Sequence, residues 1–97
     1  MSAYVIVHAT IKDQDKLNEY GAIAGPSIKA AGGELVTAAK VTDVLAGTHN
    51  HERTVIIRFD NVQAARDWYV SEAYQSALPL RERAMDAVFM IVEAPSE

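Results

Sequence analysis

The stretch from Phe59 to Arg81, FDNVQAARDWYVSEAYQSALPLR, places a strand end, a helix, a turn and a second helix in consecutive residues. Asp60 or Asn61 can cap the first helix and Ser71 the second, because short polar side chains accept hydrogen bonds from the free N–H groups of a first turn. Pro79 predicts a kink or a restart in the second helix. The stretch therefore predicts a split helix between two strands.

The other strands are predicted from β-branched and apolar residues. Four segments share this character: Tyr4–Ile11, Glu34–Val41, Arg53–Phe59 and Ala87–Val92. Residues 44–47 are also mostly apolar, so we expect them to continue the second strand after a break at residues 42–43. The polar residues 48–52 then predict a hairpin loop that leads into the third strand.

A first helix is predicted between the first two strands. Asp13 is its N-cap, and apolar residues recur at helical spacing from Leu17 onward. Gly25-Pro26 interrupts this pattern, and we expect a kink or two helical pieces, because proline removes one helical hydrogen bond and crowds the preceding turn. Gly32-Gly33 ends the helix, since one glycine can adopt the left-handed conformation of a C-terminal cap.

The order of elements is βαββαβ, with the second helix split. This order defines an α+β fold, the ferredoxin-like plait, in which a four-stranded antiparallel sheet carries its helices on one face. A chain of 97 residues forms a single domain, residues 1–97. The sequence contains no cysteine, which excludes disulfides and thiolate metal sites.

Composition and charge exclude several partners. The net charge of -4 argues against nucleic acid, because phosphate binding needs concentrated Lys and Arg. No apolar run approaches the ~20 residues of a membrane span, so no membrane partner is expected. The N-terminal YVIVHATI lacks the basic segment that precedes a signal peptide core, and we expect a cytoplasmic protein. No P-loop or dinucleotide-binding motif is present, so no cofactor is expected.

Alternate strand residues define two faces of the sheet, and two helices can cover only one. The other face carries large apolar residues: Tyr4, Ile6, Ile56, Val88, Met90 and Val92. Polar residues share that face: His8, Thr10, Thr54 and Arg58. The patch is too apolar to remain in water and too polar for a dry sheet–sheet core. It predicts a homodimer in which two sheets enclose a partly wet cavity; the alternative is a monomer with an exposed patch.

The most specific local pattern is Ser71-x-x-Tyr74-Gln75 followed by Arg81, seven residues after Tyr74. Together with Tyr20, Gly32-Gly33 and Trp68-Tyr69, this pattern resembles the domain-of-unknown-function 1330 family, within the dimeric α/β-barrel superfamily. The resemblance extends over nearly the whole chain. It implies a ferredoxin-like protomer and a homodimer, but no activity, because the fold does not determine the chemistry of a site.

His8 is the candidate for acid–base chemistry. It lies on the polar side of the first strand and titrates near neutrality when unperturbed. The alternative is a hydrogen-bonded histidine at a dimer interface, because the sequence shows no evident carboxylate partner for it.

Tyr74 and Arg81 are predicted to share one face of the split helix. Arg81 can bind a carboxylate with two hydrogen bonds and Tyr74 can donate to an oxyanion, so both join His8 as candidate catalytic residues. If the protein has a ligand pocket, Tyr74, Arg81 and His8 are expected to border it. Trp68 and Tyr69 would form its apolar wall. The alternative is that these side chains pack the helices, with Arg81 held by a local carboxylate.

Arg58 is a further candidate for ligand binding. The alternative is that Arg58 forms an ion pair with an Asp or Glu side chain on a neighbouring strand. His49 and His51 flank Asn50 in the predicted hairpin loop. A His-x-His pair binds metal on a strand, where alternate residues share a face. This pair lacks a third ligand at a suitable spacing, so no metal site is predicted.

Two functions remain open. The first is the binding or transformation of a small organic acid or carbonyl compound in a pocket near the sheet and the split second helix. The second is a non-catalytic dimeric module that acts as a sensor or an accessory subunit. A pocket with convergent polar groups favours the first, and a filled, dry interior favours the second.

Overall fold

The computed structural model of the protein describes residues 1–95. The elements in chain order are β1 (Ala3–Ile11), α1 (Gln14–Ala30), β2 (Glu34–Lys40), β3 (Arg53–Phe59), α2 (Val62–Val70), α3 (Glu72–Gln75), α4 (Leu78–Ala84) and β4 (Met85–Glu93). The strands form one antiparallel sheet in the order β2-β3-β1-β4. The predicted α+β ferredoxin-like arrangement is confirmed, with the second crossover divided into three short helices.

β1 is a central strand whose two sides differ in burial. Its odd-numbered residues are buried beneath the helices, while its even-numbered residues are only partly buried. Pairing with β3 and β4 extends this alternation across the sheet. We call the helix side the covered face and the other side the open face. The core lies on the covered face, and its largest fully buried side chains are Phe59, Trp68 and Tyr74.

Capping residues fix the helix starts. The Asp13 carboxylate accepts from Lys16 N (3.1 Å), and Asn61 Oδ1 accepts from Ala64 N (2.8 Å). Ser71 Oγ accepts from Tyr74 N (3.3 Å), which begins a new helix directly after α2 ends. The sequence predicted all three positions, and Asn61 rather than Asp60 caps α2.

α1 is one continuous helix that includes Pro26, so a break into two helical pieces was the wrong expectation. Two features favour helix here. Gly25 has no Cβ to collide with the proline ring, and the next turn is held in the core because Ser27 Oγ accepts from Trp68 Nε1 (3.0 Å). Gly32, at φ 77°, then ends the helix as predicted.

Gly33 allows α1 and β3 to pack closely. A Cβ at this position would lie 2.7 Å from the Phe59 ring and 2.9 Å from Ile28. The Gly33 backbone therefore contacts the Phe59 ring, and any larger residue at this position would push the ring or the helix away.

β2 ends at Lys40, and the expected continuation at residues 44–47 was wrong. Its partner β3 begins at Arg53, directly opposite Lys40, so later residues have no strand to pair with. Val41 N donates to Glu52 O (2.7 Å) and closes the connecting loop. Leu45 within that loop is almost fully exposed. Among the described residues, no helix is long and apolar enough to cross a membrane.

Candidate functional site

Arg81 joins three tyrosines on the covered face. Its Nη1 donates to the hydroxyls of Tyr69 (2.9 Å) and Tyr74 (3.0 Å), and the hydroxyls of Tyr74 and Tyr20 lie 2.9 Å apart. These four residues are called the tyrosine–arginine network. The sequence predicted that Tyr74 and Arg81 share a face, and the structure adds Tyr20 from α1, whose helical spacing had indicated only a core position.

The Arg81 guanidinium is held by aromatic groups more than by carboxylates. Its side chain is 16% exposed, and its central carbon lies 4.7 Å from the centre of the Phe89 ring. The nearest carboxylate is that of Glu82, whose Oε1 is 3.6 Å from Nη2 and whose side chain is 75% exposed. An ion pair as exposed to solvent as Arg81–Glu82 contributes little to stability, so the positive charge of Arg81 remains largely uncompensated.

The tyrosines of the network are hydrogen-bond donors rather than bases. Burial raises the pKa of Tyr20, and the adjacent Tyr74 raises it further. Burial also raises the pKa of Tyr74, although hydrogen bonds from Tyr20 and Arg81 oppose that change. Burial alone would lower the pKa of Arg81, but its hydrogen bonds to Tyr69 and Tyr74 raise it overall. Tyr20 and Tyr74 are therefore protonated at neutral pH, and the network carries the positive charge of Arg81.

The network contains more donors than acceptors. Tyr69 and Tyr74 each accept from Arg81, and only one hydroxyl hydrogen can lie between Tyr20 and Tyr74. Two of the three hydroxyl hydrogens thus lack an acceptor among residues 1–95. Water or a ligand oxygen must supply these acceptors.

A cavity of about 270 Å³ lies between α1 and the sheet, and we call it the α1 cavity. Aliphatic side chains form most of its lining, with Tyr20 and Phe89 on one side. Tyr20 belongs to the tyrosine–arginine network, and the Phe89 ring contacts Arg81. Tyr74 and Arg81, which were predicted to lie in the pocket, do not line this cavity themselves. A mostly apolar pocket beside a few convergent polar groups is typical of small-molecule sites.

Two glycines of α1, Gly21 and Gly25, border the α1 cavity one helical turn apart. A Cβ at either position would meet no atom within 4 Å. Glycine inside a helix costs roughly 0.5–1 kcal/mol relative to alanine. Gly25 accommodates the following proline, but neither close packing nor a positive φ requires Gly21. Gly21 leaves open the space that a side chain would fill.

A second cavity of about 540 Å³ lies beside α2 and β4. Trp68, Tyr69 and Arg66 contribute to its lining. Trp68 itself is 1% exposed and its Nε1 donates to Ser27 Oγ, so it belongs to the core. Tyr69 connects this cavity to Arg81.

His8 lies on the open face, on the other side of the sheet from Tyr74 and Arg81. The expectation that these three residues border one pocket was therefore wrong, because alternate residues of a strand point to opposite faces. His8 Nδ1 shares a hydrogen bond of 3.2 Å with Thr54 Oγ1. Partial burial lowers its pKa, and the nearby His49 and His51 lower it further.

The histidines of the loop after β2 approach the open face. The rings of His8 and His49 are 4.7 Å apart, those of His49 and His51 are 5.8 Å apart, and His51 Nδ1 lies 3.1 Å from Thr10 Oγ1. This approach was not predicted, because it depends on how the loop folds back onto the sheet. Within the described part of the chain, no group of three or more His, Asp and Glu side chains is arranged to hold a metal ion.

Arg58 is separate from both the network and the α1 cavity. Its Nη2 donates to Ser2 Oγ (2.9 Å) at one end of the open face. Glu34 is its partner in the β2–β3 pairing, yet no ion pair joins the two side chains among residues 1–95. The structure therefore brings together Tyr69, Tyr74 and Arg81, and leaves Arg58 and His8 elsewhere.

The sheet order, the one-sided helix layer and the covered-face site define a small α+β protein of the ferredoxin-like class. The chain belongs to the DUF1330 family, described as a domain of unknown function, whose model matches residues 2–95. No curated protein matches the sequence.

Solved structures share the fold at low sequence identity. A protein of unknown function from Rhodopseudomonas palustris has a TM-score of 0.81 and 16% identity, with 99% of this chain and 84% of that chain covered. A dimeric ferredoxin-like protein of unknown function from Jannaschia sp. CCS1 has a TM-score of 0.76 and 14% identity over 97% of this chain and 100% of that one. SnoaB, a cofactor-independent oxygenase from Streptomyces nogalater, has a TM-score of 0.70 and 8% identity over 99% and 95% of the two chains. These similarities show the fold alone.

Proposed function

We propose that this protein binds a small, largely apolar organic acid or carbonyl compound in the α1 cavity. One observation carries the proposal: Tyr20 borders the cavity and its hydroxyl lies 2.9 Å from that of Tyr74, which accepts from Arg81. A donor network with too few acceptors thus lies directly beside an apolar space.

The network is suited to an oxygen atom that carries negative charge. Arg81 polarises the Tyr74 hydroxyl, and Tyr74 in turn strengthens Tyr20 as a donor. Preorganised donors of this kind stabilise a carboxylate, or charge that develops on a carbonyl oxygen. Tyr69 also accepts a hydrogen bond from Arg81 Nη1, but it lines the second cavity rather than the α1 cavity.

The alternative function is a non-catalytic sensor or accessory module. One observation favours it: the described residues that line the α1 cavity include no Asp, Glu or His. The tyrosines stay protonated, so the lining offers no general base at neutral pH. Binding is therefore the core of the proposal, and any transformation must proceed without a base from this lining.

The second part of the proposal is a homodimer formed through the open face. Val88, Met90 and Val92 lie on this face and are 47%, 39% and 43% exposed. Together with Ile6 and Ile56, they form an apolar patch across three strands. Relatives of the same fold from Jannaschia sp. CCS1 and Thermobifida fusca are described as dimeric, which supports a second copy as the partner.

Filling the cavity tests the binding site. Gly21→Leu places a side chain into the α1 cavity, and Ala22→Leu adds the same side chain to the exposed neighbouring position as the matched control. With 3-phenylpropanamide as a probe, calorimetry should show weakened binding for Gly21→Leu and unchanged binding for Ala22→Leu. Equal affinity in both variants would exclude the α1 cavity as the site.

The polar contact is tested by removing one atom. Tyr20→Phe deletes the hydroxyl and keeps the ring. This substitution should weaken the binding of the same probe about fivefold to tenfold, since a hydrogen bond contributes about 1 kcal/mol.

Native mass spectrometry of freshly purified protein gives the mass of any bound ligand and the number of chains in the assembly. A single-chain species at micromolar concentration would contradict the dimer.

A further inference from the structure

A polar cavity of about 250 Å³ adjoins the α1 cavity at one end of the sheet. Ile11 and Arg53 border both cavities, so the polar cavity is a direct neighbour of the apolar one. Gln14, Lys40 and Glu52 complete the lining of the polar cavity.

A β-bulge places Lys40 at this position. β2 pairs with β3 in a register that shifts between Leu35 and Thr37. Without the shift, Leu35 and Lys40 would point to opposite faces, because they are five residues apart. With the shift, Lys40 pairs with Arg53 on the covered face, which is the face that Leu35 occupies. Bulges often redirect a side chain in this way beside functional sites.

Lys40 and Arg53 are two like charges directly opposite each other on neighbouring strands. This arrangement is destabilising unless an anion lies between or beside the two groups. Neither side chain forms an ion pair within residues 1–95. Glu52 is the carboxylate at this cavity, and its Oε1 accepts from Ile11 N at 3.4 Å. Two positive charges against one negative charge leave the site cationic.

We propose that Lys40 and Arg53 bind the carboxylate of an amphipathic acid whose apolar body occupies the α1 cavity. This inference rests on the proposed function and defines its ligand class: a monocarboxylic acid with a short aromatic or branched aliphatic body. Arginine binds a carboxylate with two parallel hydrogen bonds, and lysine adds a second charge. The body must be small, because pockets for drug-sized ligands span about 300–1,000 Å³ and this one is at the lower limit.

Two isosteric probes separate the charge from the shape. 3-Phenylpropanoate and 3-phenylpropanamide share an apolar body and differ in the carboxylate. The wild-type protein should bind the acid at least about tenfold more tightly than the amide, because hydrogen bonds to a charged group are stronger than those to a neutral one. This preference should decrease with added salt, since both cations are near the surface.

The charged pair is tested by a double substitution with a matched control. Lys40→Gln with Arg53→Gln should abolish the preference for the acid and leave the affinity for the amide unchanged. Lys29→Gln with Arg83→Gln removes the same net charge from exposed positions outside both cavities and should retain the preference. Lys40→Glu is a further variant, which places a carboxylate opposite Arg53 and should favour the amide.

The outcomes distinguish this inference from the proposed function. Equal binding of acid and amide by the wild-type protein, or a preference that survives the double substitution, would refute the carboxylate subsite. The α1 cavity would still be the binding site if Gly21→Leu weakened the amide. If Gly21→Leu left the amide unaffected, the proposed function would fail and the subsite would fail with it.

Discussion

The two faces of the sheet use the same alternation of residues in opposite ways. On the covered face, Val5 and Val7 are almost fully buried beneath α2 and α1, and the polar groups there are joined in one network. On the open face, Val88 and Met90 are 47% and 39% exposed, and the polar groups are histidines and threonines. Both faces are apolar enough to need a partner layer. The chain supplies one such layer itself, and in the proposed homodimer a second copy would supply the other.

The difference extends to the chemistry that each face can perform. Burial keeps Tyr20 and Tyr74 protonated, so the covered face offers hydrogen-bond donors and the positive charge of Arg81. The open face carries His8, whose pKa is lowered by partial burial and by the neighbouring His49 and His51. A ligand site is therefore expected on the covered face, and an assembly site on the open face.

The largest effect is expected on the open face. Ile56→Asp puts a carboxylate opposite Ile6 at the centre of the proposed interface. In a symmetric dimer each subunit contributes one such carboxylate, so the interface contains two. An unpaired buried carboxylate costs several kcal/mol, so the dimer should dissociate at micromolar concentration in sedimentation experiments.

Leu45→Asp is the control for this substitution, because it introduces the same charge in an exposed loop and should leave the assembly intact. If Ile56→Asp remained dimeric, the open face would not be the interface.

The next largest effect is expected within the covered face. Trp68→Ala should lower the free energy of unfolding by about 3–5 kcal/mol, because it empties a fully buried site and removes the hydrogen bond to Ser27. Urea denaturation measures this loss. Val70→Ala, on the same helix but 70% exposed, should change stability by less than about 0.5 kcal/mol.

The sequence predicts the two faces well because period-2 patterning depends only on local residues. The caps at Asp13, Asn61 and Ser71 were predicted for the same reason. Residues 44–47 were misassigned because a strand needs a partner, and β3 ends the pairing opposite Lys40. That information belongs to the tertiary structure.

The site was only partly predictable. The spacing of Tyr74 and Arg81 predicted that they share one helical face, whereas the structure brings them into contact from two separate helices, α3 and α4. The position of Tyr20 beside them depends on how α1 packs against α3 and α4, which one sequence does not specify. Lys40 reaches the covered face only through a bulge, and bulges have no reliable sequence pattern.

Replacing Arg81 should have an intermediate effect on stability, and it tests whether Arg81 holds the tyrosine–arginine network together. Arg81→Met keeps much of the contact with Phe89 but removes the donors to Tyr69 and Tyr74. The free energy of unfolding should fall by about 1.5–3 kcal/mol, the contribution of a hydrogen bond to a charged group.

Arg83→Met in the same helix is the control, because that residue is exposed. Equal stability of the two variants in urea would mean that the network contributes to ligand binding alone.

Gly21→Ala should increase stability. Its added methyl group meets no atom within 4 Å, and alanine in a helix is favoured over glycine by about 0.5–1 kcal/mol. A thermal denaturation midpoint a few degrees higher is expected. A lower midpoint would show that Gly21 is required for packing rather than for the open space of the α1 cavity.

The smallest effect concerns His8 on the open face. Partial burial and the positive charges of His49 and His51 lower its pKa below the ordinary value of 6.5. Below pH 6.5 the unfolded chain takes up a proton that the folded chain resists. The stability linked to His8 is therefore complete above pH 6.5 and is lost as the pH falls through the folded pKa.

An NMR titration of the His8 ring measures the pKa of His8 in the folded protein directly. Replacing His49 and His51 with Gln should raise the His8 pKa towards 6.5, and a value unchanged by that double substitution would show that the loop histidines do not act on the open face.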